Sequence, residues 1–213
     1  ERMPEEVNRK LIDQLSNILF VPTKIDLENL KKERLISNKK IFIVGNTISD
    51  IIKKYTPLIK KDKILKRFNL LKKNFFLITL HRPETVDNPK KLNKLILYFE
   101  KIGKKFETKF LFPVHPRTKN IIKKLNIKKL KFIKFTKPLE FIDFLTVIKS
   151  CRIIFTDSGG IQEESSLLGV PCVTIRTSTE RQLSIKKKSN ILTGYDYKRI
   201  FKATTYFNKK QIK

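Results

Sequence analysis

The 213 residues contain no tryptophan, one methionine, two cysteines and two histidines. Cys151 and Cys172 are too few for a disulfide framework and too far apart for a metal-ligand pair, so both are read as core filler in a reducing cytosol. No metal site and no cofactor is expected from them. Glycine and proline are scarce, at 6 and 9, which excludes collagen-like and low-complexity chains. Long apolar runs are also missing. Stretches such as Phe75 to Leu80 fall far short of the ~20 residues that cross a bilayer. The reading is therefore of no membrane span, no signal peptide and a cytoplasmic location. The first residue is Glu1 rather than Met, and the chain is read as cut or split at its N-terminus.

Acidic residues are few as well, with Asp+Glu 20 against Lys+Arg 48 and a formal net charge of +28. Such a charge invites nucleic acid as a partner, because lysine and arginine release counterions from a phosphate backbone. The lysines nevertheless lie in scattered pairs, among them Lys60-Lys61, Lys72-Lys73, Lys123-Lys124 and Lys128-Lys129, alternating with Ile, Leu and Phe. That is the pattern of solvated faces on amphipathic elements. No interleaved base-stacking aromatics or zinc finger accompany it, so nucleic acid is not the expected partner.

What is present is 40% hydrophobic residues and 32% charged, enough for a packed core in one or two domains. Short apolar runs alternate with helical periodicity. Pro4, Glu5 and Glu6 open a helix carrying Val7, Leu11, Leu15 and Ile18, and strands follow at Leu19 to Val21 and Ile41 to Val44. From there the alternation is regular, with strands at Phe75 to Leu80, Phe110 to Val114, Lys131 to Lys134, Arg152 to Thr156 and Pro171 to Ile175. Helices fall between them. The spacing of Leu92, Leu95, Ile96, Phe99 and Ile102 is closely helical, with Asn88 as cap, Pro89 in the first turn and Gly103 as stop. This predicts an α/β fold with a doubly wound, mostly parallel sheet.

Ligands of such sheets sit at the carboxyl ends of the strands. The residues found there share a chemistry: His81-Arg82, His115-Pro116-Arg117, Asp157-Ser158-Gly159-Gly160, and Arg176 with Arg181. Imidazoles, guanidinium forks and a Ser-Gly-Gly turn opening a helix suit an anion with phosphate-like oxygens. Glu164, one turn into that helix, can accept from ribose hydroxyls. Each also has a plainer reading, in which the glycines make an ordinary strand-to-helix turn, His81 and His115 cap backbone, and Glu5 complements a helix dipole.

The words Thr156-Asp157-Ser158-Gly159-Gly160-Ile161-Gln162-Glu163-Glu164, Leu168-Gly169-Val170-Pro171 and Thr179-Glu180-Arg181 together resemble the non-hydrolysing UDP-N-acetylglucosamine 2-epimerases. Leu80-His81-Arg82-Pro83-Glu84, Pro113-Val114-His115-Pro116, Pro138-Leu139-Glu140-Phe141, Val44-Gly45-Asn46-Thr47 and Met3-Pro4-Glu5-Glu6-Val7-Asn8-Arg9 agree in order. The likeness is collinear to about Gly194.

The resemblance implies two Rossmann-like domains facing across a cleft in a GT-B-like architecture. This chain would correspond to a remnant of the first domain (1–44), the nucleotide-binding second domain (45–199) and a basic C-terminal tail (200–213). It implies Ser158, Gly159 and Gly160 at the diphosphate, Glu164 at the ribose and Phe144 beside the uracil. His81 and Arg181 would stand near the leaving diphosphate and the sugar, and Glu5 among the acids at the sugar, with Arg82 and His115 as further candidates. The implied chemistry epimerises UDP-N-acetylglucosamine to UDP-N-acetylmannosamine for polysaccharide biosynthesis. UDP leaves from C1 through an oxocarbenium-like state, a glycal forms, and UDP adds back. The implied partners are a UDP-sugar, the rest of the first domain in cis or trans, and a second copy in a full-length homodimer. Alone, this chain is expected not to epimerise.

Gln182-Leu183 replaces the usual Pro-Glu, and Thr85 stands where the family often has Asn. A diacetamido-uronate nucleotide epimerase, a GT-B glycosyltransferase and a non-catalytic nucleic-acid-binding module are the competing readings.

Overall fold

In the computed structural model residues 4–59, 63–125, 127 and 130–211 are described, and the chain divides into two compact units, 1–51 and 52–213. The first contains α1 (Pro4–Leu15), β1 (Ile18–Val21), α2 (Lys24–Lys32) and β2 (Lys40–Ile43), with β1 and β2 paired in parallel. Its small core is Leu19, Val21, Leu30 and Leu35, with Leu27 and Ile41 packed against it. Arg9 of α1 reaches Glu6, Asp13 and Glu33 at 2.7–2.9 Å, tying α1 to the end of α2. The boundary falls within α3 (Ile48–Tyr55) rather than at residue 44.

The second unit follows the expected alternation. After α4 (Lys63–Phe68) come β3 (Phe75–Thr79), α5 (Pro83–Val86), α6 (Pro89–Phe106), β4 (Lys109–Pro113), α7 (Pro116–Lys124), β5 (Ile133–Thr136) and α8 (Phe141–Ser150). They are followed by β6 (Ile153–Thr156), α9 (Gly159–Leu167), β7 (Cys172–Thr174), α10 (Gln182–Lys186), β8 (Asn190–Leu192) and α11 (Tyr197–Gln211). Six strands pair in parallel in the order β5-β4-β3-β6-β7-β8. This is a Rossmann-like sheet, with β3 and β6 flanking the point where the strand order reverses.

Every residue of β3 and of β6 is buried, as strands covered on both faces must be. Alternate side chains feed two cores. Phe76, Ile78, Phe110, Phe112 and Phe155 lie on one face against α6 and α11; Phe75, Leu77, Leu111 and Ile154 lie on the other against α4 and α8. Cys151 and Cys172 are buried in the second core, and burial pushes both thiols up to about 12.

Several elements differ from expectation for identifiable reasons. Asn88 does cap α6, accepting from the Lys91 N–H at 3.0 Å, but Gly103 does not end it. The helix continues to Phe106 and closes on Glu107 in the left-handed region (φ 48). Gly103 is needed for close approach: a Cβ there would lie 2.5 Å from the Phe132 Cβ. β5 begins two residues late because the Lys131 and Phe132 N–H groups donate to the Glu100 carboxylate. The C-terminal stretch is no tail. Ile200, Ala203 and Phe207 line one side of α11 and are buried in the main core, while Lys198, Lys202 and Lys209 are exposed.

Candidate functional site

β3 and β6 pair as far as Thr79 and Thr156, whose hydroxyls are 2.6 Å apart. Beyond that the strands diverge, and Asp157 fills the gap. Its carboxylate is wholly inaccessible to solvent and accepts from the backbone N–H groups of His81 (3.1 Å) and Arg82 (3.0 Å). The His81 Nδ1 stands 3.3 Å from Asp157 Oδ1. Burial raises the Asp157 carboxyl, opposed by those N–H donors and by His81. Burial lowers the His81 imidazole despite Asp157, and Arg82 and His115 push the same way.

Ser158 is the N-cap of α9, its Oγ accepting from the Ile161 N–H at 3.5 Å. Gly159 and Gly160 occupy the first turn, where N–H groups have no carbonyl within the helix. The two glycines are not equivalent. A Cβ on Gly159 would collide with the Glu180 carboxylate and lie 3.6 Å from the Arg181 Nε, whereas one on Gly160 would meet nothing nearer than the Ser158 Oγ at 3.9 Å. Gly159 thus permits internal packing, and Gly160 leaves the helix end open.

One turn on, Glu164 has a buried Oε2 that makes no hydrogen bond. Burial, with a contribution from Glu163, pushes its carboxyl up to about 7.

The turn after β7 stands against the start of α9. Gln162 Oε1 accepts from the Thr179 hydroxyl at 2.7 Å and from Asn190 Nδ2 at 3.0 Å, and the Arg181 N–H donates to Thr179 Oγ1 at 3.1 Å. Arg181 Nη1 pairs with Glu163 at 3.0 Å, while its Nε is buried without a hydrogen bond, 3.8 Å from Glu180 Oε1. Arg176, nearly buried, pairs with Glu180 at 3.0 Å. Burial would raise Glu180, but its own N–H, Arg176 and Arg181 outweigh that and hold it below the usual carboxylate value.

A cavity of about 340 Å³ opens at this edge of the sheet, lined among others by Thr79, His81, His115, Phe144, Ser158 and Ile161. The rings of His81 and His115 are 5.8 Å apart. The combination is two imidazoles, an aromatic face and a helix N-terminus around one space at the switch point. It can hold a flat apolar ring and an anion together.

The family model described as UDP-N-acetylglucosamine 2-epimerase matches residues 1–213. The chain belongs to this family. A UDP-N-acetylglucosamine 2-epimerase of Methanococcus maripaludis is 46% identical over 92% of this chain and 55% of its own length. The crystal structure of the Methanocaldococcus jannaschii UDP-GlcNAc 2-epimerase in complex with UDP-GlcNAc and UDP superposes with a TM-score of 0.87 at 39% identity, over 96% of this chain and 58% of that one. A UDP-2,3-diacetamido-2,3-dideoxy-D-glucuronate 2-epimerase of Pseudomonas aeruginosa is 34% identical over 91% of this chain and 53% of its length. The chain spans somewhat over half the length of these relatives.

Among the residues that the family resemblance singles out, four line the cavity together: His81, His115, Phe144 and Ser158. Gly159, Gly160 and Glu164 continue from Ser158 along α9, and Arg181 lies against the start of that helix. Arg82 offers its backbone N–H to Asp157, and its Nε is buried without a hydrogen bond. Glu5 belongs to α1, in the other compact unit, and its side chain lies outside the described part of the structure. His115 accepts from the Arg117 N–H at 3.3 Å and so caps α7, its plainer reading, while also lining the cavity.

Three residues of the site went unassigned in the sequence: Asp157, Gln162 and Glu180. Asp157 had a signal, a carboxylate at the end of the run Ile153-Ile154-Phe155-Thr156, where a strand gives way to a Ser-Gly-Gly turn. Gln162 and Glu180 had none beyond their place in the two motifs, since their partners are distant in the chain.

Proposed function

We propose that this chain is the UDP-binding half of a UDP-N-acetylglucosamine 2-epimerase, an isomerase that interconverts UDP-N-acetylglucosamine and UDP-N-acetylmannosamine. The observation that carries the reading is the single cavity at the switch point. There His81, Phe144 and the open start of α9 meet.

In this reading the diphosphate lies on the N–H groups of Gly159 and Gly160, where the helix dipole favours negative charge by up to ~2 kcal/mol. Ser158 orients that turn. Phe144 faces the uracil, and the half-buried Glu164 accepts the ribose hydroxyls, which would satisfy its unpartnered Oε2. His81 and Arg181 donate to the departing diphosphate as the C1–O bond breaks. Arg82 and His115 flank them. The C2 proton has no neighbouring carbonyl to acidify it, so it becomes removable only as that bond breaks. Carboxylates of the sugar-binding end, for which this chain offers Glu5, then take the proton from one face and return one to the other. The remainder of the family's length supplies a facing domain, in the same chain or as a partner, and the full-length protein is a homodimer.

A second reading keeps the same UDP site with a diacetamido uronate sugar, favoured by the 34% identity to the Pseudomonas aeruginosa enzyme. It differs in what the facing domain reads.

Calorimetry tests the UDP site directly. UDP should bind at least about tenfold tighter than uridine, since charge-assisted hydrogen bonds contribute roughly 1.5–3 kcal/mol each. Gly160→Val should remove that preference without lowering the melting temperature, because a Cβ there has open space. Equal affinity of the wild-type chain for UDP and uridine would eliminate the phosphate cradle.

A further inference from the structure

Asp157 is the one wholly buried carboxylate at the switch point, and the mechanism above gives it no part. Its surroundings are specific. Strands β3 and β6 part after Thr79 and Thr156, so the His81 and Arg82 N–H groups would otherwise lose their partners across the gap. The carboxylate supplies both, at 3.1 and 3.0 Å. It thereby fixes the backbone from which the His81 ring projects, and it also faces that ring. An unprotonated Nδ1 only 3.3 Å from a carboxylate oxygen would be repulsive. The proton therefore belongs on Nδ1, which leaves Nε2, the far nitrogen of a ring that lines the cavity, as the one to meet a ligand there.

We infer that Asp157 is a positioning residue: it holds His81 as the Nδ1–H tautomer with Nε2 left to meet a ligand in the cavity, so that a diphosphate there meets a histidine that must gain a second proton before it can donate. The inference rests on the UDP-binding reading for the identity of the anion, while the tautomer itself does not.

The groups that face His81 set the sign. Asp157 comes from the end of β6, Arg82 and Glu84 from the start of α5, and His115 from the end of β4. Burial, Arg82 and His115 disfavour the imidazolium, whereas Asp157 and Glu84 favour it, and in the free chain the balance lies on the neutral side. A diphosphate beside Nε2 adds negative charge on the open side and reverses the balance. His81 would then take a proton from solvent on binding and present Nε2–H to a phosphate oxygen. Affinity for a diphosphate should accordingly rise as pH falls toward 6.

The protein has only two histidines, which makes the test direct. Long-range proton–nitrogen spectra of the ¹⁵N-labelled chain report the tautomer of each ring, and His115→Gln identifies His81 by elimination. Neutral His81 should carry its proton on Nδ1. Saturating UDP should raise its titration midpoint by about one pH unit or more, the shift typical of an opposite charge within ~4–6 Å, and uridine should not. Folded Asp157→Asn should lose the Nδ1–H preference and the UDP-induced shift. A wild-type His81 protonated on Nε2 would overturn the inference with no variant needed, as would a folded Asp157→Asn with the tautomer unchanged. Failure of the wild-type chain to bind UDP would instead remove the functional reading, and the tautomer would still decide the role of Asp157.

Discussion

The two compact units are built from the same kind of strand and end differently. In β3 and β6 apolar side chains point both ways, and both faces are covered. In β1 the residues are Ile18, Leu19, Phe20 and Val21, equally apolar, yet exposure alternates: Leu19 and Val21 are buried while Phe20 is 67% exposed. Phe42 of β2 is 49% exposed and stacks on Phe20 with ring centroids 5.8 Å apart. A strand meant for one-sided burial places polar residues on its outer face. β1 and β2 instead have the composition of central strands with one face uncovered. Covered area, not composition, therefore decides what each residue is worth, and that contrast can be broken in several places.

The largest effect belongs to the fully covered side. Phe155 is inaccessible and packs against Phe76, Phe99 and Phe110 with ring centroids 5.3–5.7 Å apart. Phe155→Ala should cost about 3–5 kcal/mol in urea unfolding, because it loses both transfer energy and packing. A cost under about 1 kcal/mol would mean that this core is loosely packed in solution.

That core is also the part of the fold most legible in the sequence. β3, β6 and α6 announce themselves because buried strands are continuous apolar runs and α6 shows strict helical spacing with a cap. β8 and α10 do not, being short and polar at their starts. In α11 the lysines obscure Ile200, Ala203 and Phe207, whose spacing fits one helix face. At the site, the strand-end histidines and the Ser158 turn are legible because topology alone places them at one edge. The different tasks of Gly159 and Gly160 are not, since only Glu180, distant in the chain, distinguishes them. The burial of Asp157 is equally a consequence of two strands parting.

An intermediate effect comes from a carboxylate that the second unit buries at a cost. Glu164 is raised from its ordinary value to about 7 in the folded chain by burial and by Glu163. Between pH 4.5 and 7 the folded state therefore holds a proton that the unfolded state has released. Stability contributed by this group is present below pH 4.5 and is lost as pH rises through 7. Glu164→Gln should remove this slope and stabilise the chain at pH 8 by about 1–3 kcal/mol, the group being partly exposed and screened. The same variant should weaken uridine binding, because an amide is a poorer acceptor for ribose hydroxyls than a carboxylate. Wild-type uridine affinity should fall as pH drops below 7 and Glu164 protonates. A pH-independent uridine affinity would detach Glu164 from the ribose.

The smallest effect is expected where the comparison began. Phe20→Ala removes a ring that is mostly in water already, so the loss is confined to its stack with Phe42 and its contact with the sheet. Exposed aromatic pairs of this kind contribute about 0.5–1 kcal/mol, several times less than a covered phenylalanine. A double-mutant cycle of Phe20→Ala and Phe42→Ala isolates the stacking and should return no more than that. The informative failure would be a cost near that of Phe155→Ala, about 3 kcal/mol or more. Such a value requires that something covers the outer face of β1 and β2 in solution. Repeating the cycle across a hundredfold range of protein concentration then separates the causes, because a cost that grows with concentration reports a second copy on this face. A cost independent of concentration would place the covering element within the chain itself, and the two units would then differ less than their exposures indicate.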